Sequence, residues 1–77
     1  MDRLCDLAPG QSGRVRGLVT AGPMRRRLQE LGLVEGTLVC CAFRSPGGDP
    51  AAYAVRGSLI ALRREDSAGV LLGEAQP

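Results

Sequence analysis

Gly22-Pro23-Met24-Arg25-Arg26-Arg27-Leu28-Gln29-Glu30-Leu31-Gly32-Leu33-Val34-Glu35-Gly36 reads as one short helix with both ends written into it. Pro23 suits the first helical position, where an N–H would have no intrahelical partner in any residue. Met24, Leu28 and Leu31 fall at i, i+4 and i+7 and make a single apolar stripe. Gly32 can take the left-handed conformation that ends a helix, after which Leu33 folds back onto the turn containing Leu28. This placement puts Arg25, Arg26 and Arg27 in the first turn, beside the partial positive charge of the unpaired amides. Each arginine there costs a few tenths to about 1 kcal/mol unless an anion compensates it. Burying the stripe turns Arg25, Arg26 and Gln29 outward, so the acidic surface of a partner is one source of compensation. Internal pairing is the other: Arg26 with Glu30, or Arg27 with Asp49 or Glu65.

Outward from the helix, the composition sets bounds. Residues 1–77 make one domain, and a chain of this size buries only about 60% of its unfolded surface. The hydrophobic content of 44% marks it as globular. Tyr53 and Phe43 are the only aromatic residues, so the core must be largely aliphatic. The longest apolar run, Leu38 to Phe43, falls far short of the roughly 20 residues of a membrane span. Met1-Asp2-Arg3-Leu4-Cys5-Asp6 lacks the basic start and apolar segment of a signal peptide, so a cytoplasmic protein with no direct membrane insertion is expected.

The three cysteines fit reduced thiols. Cys40 and Cys41 are neighbours, and on a regular strand their side chains point to opposite faces, which suits small core hydrophobes better than one shared metal. Histidine is absent, which removes the commonest metal ligand and general base. The net charge is only +2 and all ten basic residues are arginine. So small a charge does not suit a protein that lives on the nucleic-acid backbone. Arginine alone suits planar, bidentate recognition of carboxylate or phosphate, although a G- and C-rich genome gives the same bias.

Along the chain, Leu4 to Gly10 is a short apolar segment closed by a Pro-Gly turn. Residues 13–19 alternate, with Val15 on one side and Arg14 and Arg16 on the other, as in a half-buried strand. Thr37 to Arg44 is apolar on both faces and predicts a central strand. Ser45-Pro46-Gly47-Gly48-Asp49-Pro50 is a loop. Ala51 to Arg56 predicts a strand, Gly57-Ser58 a two-residue hairpin connection with glycine first, and residues 58–63 the returning partner. Arg64-Glu65-Asp66 reads as a charged turn, and residues 67–72 as a last strand before a polar tail. Five short strands with one short helix predict an all-β fold, a small barrel whose closure removes exposed edges.

No catalytic constellation accompanies this fold. Without histidine there is no Ser-His or Cys-His pair, and without lysine no phosphate-binding loop of the Gly-rich Lys-Ser/Thr type. Cys5 and Cys40 do not form a zinc knuckle. The carboxylates Glu30, Glu35, Asp49, Glu65 and Asp66 are scattered at turns. Recognition, not catalysis, is the expected activity.

With the helix and hairpins in place, the chain resembles the FeoA family, the small cytosolic accessory proteins of bacterial ferrous-iron transport. The matching pattern is Leu4-x-x-Leu7-x-Pro9-Gly10-x-x-Gly13-x-Val15, then Met24-x-Arg26-Arg27-Leu28-x-x-Leu31-Gly32-Leu33-x-x-Gly36. It continues with Pro46-x-Gly48-Asp49-Pro50, Tyr53-x-Val55-Arg56-Gly57 and Ile60-Ala61-Leu62-Arg63. Glu35 departs from the proline common at that position. The resemblance implies a five-stranded SH3-like barrel and a modulating role beside FeoB, a membrane permease with a cytosolic GTP-binding domain; a third small Feo component is a further candidate partner. The same module forms the C-terminal domain of metal-dependent repressors of the diphtheria-toxin-repressor type, but this chain has no room for their DNA-binding domain. The expected partner-binding residues are Met24, Arg25, Arg26, Gln29 and Asp49. No cofactor is expected, with weak transition-metal binding left open. The competing readings are a nucleic-acid-binding barrel, disfavoured by the scarcity of aromatics for base stacking, and an iron-delivery protein using Cys40, Cys41 or the acidic turns.

Overall fold

In the computed structural model, which describes residues 3–73, the chain opens with a 3₁₀ turn at Leu4–Asp6. There follow β1 (Ser12–Leu18), α1 (Gly22–Glu30), β2 (Leu38–Arg44), β3 (Ala51–Val55), β4 (Ser58–Leu62), α2 (Arg64–Ser67) and β5 (Val70–Leu72). All strand pairs are antiparallel and their order is β4-β3-β2-β1-β5, the expected small five-stranded SH3-like barrel with β2 at its centre. β4 and β5 are the two ends of this ladder, joined through α2 rather than by hydrogen bonds between them. The polar tail after residue 73 lies outside the described residues.

The core follows from the alternation. Val15, Val39, Cys41, Tyr53, Val55 and Leu72 point inward from the sheet and are at most 2% exposed. Leu28 of α1 and Leu33 beyond it close one side, and Leu4 and Leu7 close another. Cys41 is buried and Cys40 half-buried, as opposite faces of one strand require. Tyr53 is the one aromatic ring inside. Its hydroxyl lies near Ser67, itself fully buried, whose own hydroxyl donates to the Arg64 carbonyl at 3.3 Å, so β3 and α2 meet through polar groups.

Phe43 is 54% exposed although it lies in the apolar run of β2. The register gives the reason: Cys41 pairs with Tyr53 but Phe43 pairs with Ala52, leaving Ala42 as an extra residue. A bulge of one residue reverses which face each later side chain occupies. Phe43 is thereby turned out and Arg44 turned in. The inward guanidinium donates to the carbonyl oxygens of Cys5 (2.9 Å) and Leu7 (2.6 Å), tying the N-terminal segment to the central strand.

Two expectations need correction. The β3–β4 connection is Arg56-Gly57, one residue earlier than Gly57-Ser58, because Val55 pairs with Ser58. Both central residues have positive φ, 51° and 81°, the mark of a type I′ turn. Buried Val55 sets that register, and Arg56 accepts the left-handed backbone to satisfy it. Residues 64–67 form a single helical turn, α2, rather than a charged turn followed at once by strand. The Asp49 carboxylate accepts the Arg64 amide at 2.8 Å and so anchors the start of that turn.

Candidate functional site

α1 ends as its sequence predicts. Gly32 has φ +102°, its amide donates to Gln29, and the Leu33 amide reaches back to Leu28, both over 3.0 Å. These two bonds complete a Schellman motif. The helix opens at Gly22, but the φ of that glycine, +71°, is left-handed, so Pro23 is the first residue with helical backbone, as expected, and Arg25 and Arg26 close the first turn; Arg27 falls in the last. The dipole favours a cation near the last turn, so the electrostatic conflict is relieved at Arg27 and remains at Arg25 and Arg26.

The stripe is placed as expected: Leu28 is fully buried, and Met24 and Leu31 are half-buried against the core. Arg25, Arg26 and Gln29 are exposed. Their roles separate, however. Arg25 donates to the Leu18 carbonyl at 2.9 Å and more weakly to Thr20 at 3.4 Å, fastening α1 to the end of β1. The Arg26 side chain makes no hydrogen bond or ion pair among the described residues, and neither does that of Arg27. The pairings of Arg26 with Glu30 and of Arg27 with Asp49 or Glu65 do not form. Asp49 sits apart from α1, engaged with Arg64.

Nine of the ten arginines divide the same way. Arg3, Arg14, Arg25 and Arg44 each donate to backbone carbonyl oxygens elsewhere in the chain. Arg26, Arg27, Arg56, Arg63 and Arg64 have no side-chain partner among the described residues. Nothing in the sequence separates the two groups, because the difference lies in which carbonyl each guanidinium can reach. Arg27, expected to pair with Asp49 or Glu65, and Arg63, not among the expected binding residues, both line a groove of about 430 Å³ between α1 and β4. Met24, Leu31 and Ile60 line its apolar part, and Asp66 is its one acidic group.

Thiol chemistry is subdued. Burial pushes the Cys41 thiol above its ordinary value, with nearby Arg44 pulling back. Among the described residues no three Cys, Asp or Glu side chains gather as a metal cage. No helix among them is long and apolar enough to cross a membrane.

Fold and exposed helix together define an SH3-like barrel module. A sequence model of the FeoA domain matches residues 3–72, and the chain belongs to the FeoA family. The solution structure of FeoA from Chlorobium tepidum is 31% identical, with 92% of this chain and 68% of that one aligned and a TM-score of 0.86. The crystal structure of Stenotrophomonas maltophilia FeoA complexed with zinc is 30% identical, covering 95% of this chain and 91% of that, with a TM-score of 0.85. That protein is described as a procaryotic SH3-domain protein and a suggested ferrous iron transport activating factor. A manganese-dependent transcriptional repressor complexed with manganese shares the fold at a TM-score of 0.84, over 97% of this chain and 36% of that. At 17% identity that likeness is one of fold alone. No curated protein sequence matches the chain. Family membership gives the chain a role in ferrous iron transport, as an accessory domain.

Proposed function

We propose that this chain docks on the cytosolic part of a FeoB-type GTP-binding permease and modulates ferrous iron transport by contact, without chemistry of its own. The observation that supports this reading is the exposed side of α1. Arg26 and Gln29 stand out from a helix whose two ends are held rigidly, by the Schellman motif and by Arg25 on β1. A cation without an internal partner, carried on a fixed helix, suits an acidic surface, and the rigid backbone loses little entropy on binding. The contact is modest in area and transient. It changes transport only so far as docking favours one nucleotide state of the permease over another.

A titration of the isotope-labelled chain with the cytosolic domain of the permease, in GTP- and GDP-bound forms, tests this. Shifts centred on Arg26 and Gln29, stronger in one nucleotide state, are expected. Identical spectra with and without the domain would end the proposal.

A further inference from the structure

Among the described residues β4 terminates the ladder, with only β3 beside it. The two-residue turn places Ser58, Ile60 and Leu62 opposite Val55, Tyr53 and Ala51. In an antiparallel pair closed by such a turn these residues exchange the cross-strand bonds, and the peptide groups between them face the other way. The N–H and C=O of Leu59 and Ala61 therefore point to the open edge. Exposed sheet edges of this kind are templates for a further strand.

This edge opens on the groove that separates β4 from α1. Ile60, Ala61 and Leu62 form one wall, and Met24, Leu28 and Leu31 the other. Ile60, Ala61 and Leu62 all border it, so the groove runs along β4, the terminal strand of the ladder. Charge then narrows the occupant. Arg27 and Arg63 line it, and Arg56, in the turn into β4, lies outside the lining and packs against Gly32 where α1 ends. All three lack side-chain partners among the described residues, against a single carboxylate, Asp66.

We infer that the groove between α1 and β4 receives an extended acidic segment of a protein partner, which adds to β4 as a sixth strand. Its main chain bonds Leu59 and Ala61, one row of apolar side chains meets Met24, Leu31 and Ile60, and its flanking carboxylates meet Arg27, Arg63 and Arg56. Strand addition supplies affinity through the main chain and specificity through alternate side chains. The inference rests on the reading that the chain works by docking on a protein, and it locates the contact along β4 in addition to the outer face of α1.

The test uses two probes. The first is a peptide of about six residues alternating glutamate and valine, with a lysine–valine peptide as control. Slowing of amide exchange at Leu59 and Ala61 by about tenfold under saturation is expected. Binding of the lysine peptide, and of the acidic peptide to Arg27→Glu/Arg63→Glu, should be weaker by about tenfold or more. Ala61→Pro removes an edge donor that β3 does not use, and should abolish the protection while the folded spectrum persists. Equal binding of the two peptides, or unchanged exchange at both amides, overturns the inference. The second probe is the cytosolic domain of the permease. If it binds but leaves Leu59 and Ala61 exchanging as before, strand addition is wrong and docking stands. If it does not bind while the acidic peptide protects both amides, the edge site stands and the permease is the wrong partner.

Discussion

Gly32 and Arg56 pack against each other, and both hold left-handed backbone, at φ +102° and +51°. A Cβ on Gly32 would lie 3.2 Å from the Arg56 Cδ and 3.2 Å from a Val55 methyl. One residue ends α1 and the other turns β3 into β4, so this contact sets how the helix lies on the sheet.

Replacing Gly32 by alanine therefore meets two costs, a left-handed backbone and a tight contact. Gly32→Ala should lose about 1–2 kcal/mol from the backbone alone. Thermal unfolding should show a fall in Tm on the order of 5–15 °C for a domain of this size. Arg56→Asn should do the reverse and gain about 1 kcal/mol, since asparagine before glycine suits a type I′ turn. The same change should weaken binding of an acidic segment, trading recognition for stability.

Arg25 and Arg26 are neighbours with opposite expected behaviour. Arg25→Glu removes the tie to Leu18 and should cost about 1 kcal/mol in urea denaturation. Arg26→Glu breaks no bond and should leave stability within about 0.5 kcal/mol of the parent. Titration with the permease domain should nonetheless show binding weakened about three- to tenfold by Arg26→Glu. A parent-like affinity for that variant would move the docking face elsewhere.

Tyr53 links alkaline stability to the core. Burial holds its hydroxyl pKa above the ordinary tyrosine value, with the nearby Ser67 hydroxyl pulling the other way. A raised folded pKa means the folded chain keeps a proton that the unfolded chain has lost. The stabilisation is full below about pH 10 and is lost as pH rises through the folded value. Urea midpoints should accordingly drop on the alkaline side, and Tyr53→Phe should remove that part of the decline. At neutral pH, Tyr53→Phe and Ser67→Ala should each cost about 1 kcal/mol. Together they should cost less than the sum.

The cysteines predict a thiol count. Of the three free thiols, Cys5 and Cys41 are buried and Cys40 is half-exposed. Burial also disfavours the reactive thiolate of Cys41. A chromogenic disulfide reagent at neutral pH should modify Cys40 rapidly and the other two only on unfolding. Rapid reaction of all three in the native state would contradict this packing.

Elements whose cause is local could be read from the residues. Pro23, the Met24-Leu28-Leu31 stripe and Gly32-Leu33 specify α1 to within one residue, and Val15 between two arginines specifies the inner face of β1. Features decided by a distant partner could not. The bulge at Ala42 depends on how β2 lies against β3, and it alone sends Phe43 out and Arg44 in. The turn at Arg56-Gly57 answers to the burial of Val55 rather than to its own residues. In the candidate site, three adjacent arginines look alike until the Leu18 carbonyl selects Arg25. The open edge of β4 is a property of strand order, which no short window contains.

Arg14, Arg25 and Arg44 grip peptide oxygens, atoms that take up no proton at any pH a cell meets. Acidification loosens proteins whose cations are held by carboxylates, because those anions are neutralised. Here the clamps from β1, α1 and β2 would outlast such a drop, leaving the barrel assembled in the acidic, oxygen-poor settings where ferrous iron stays dissolved.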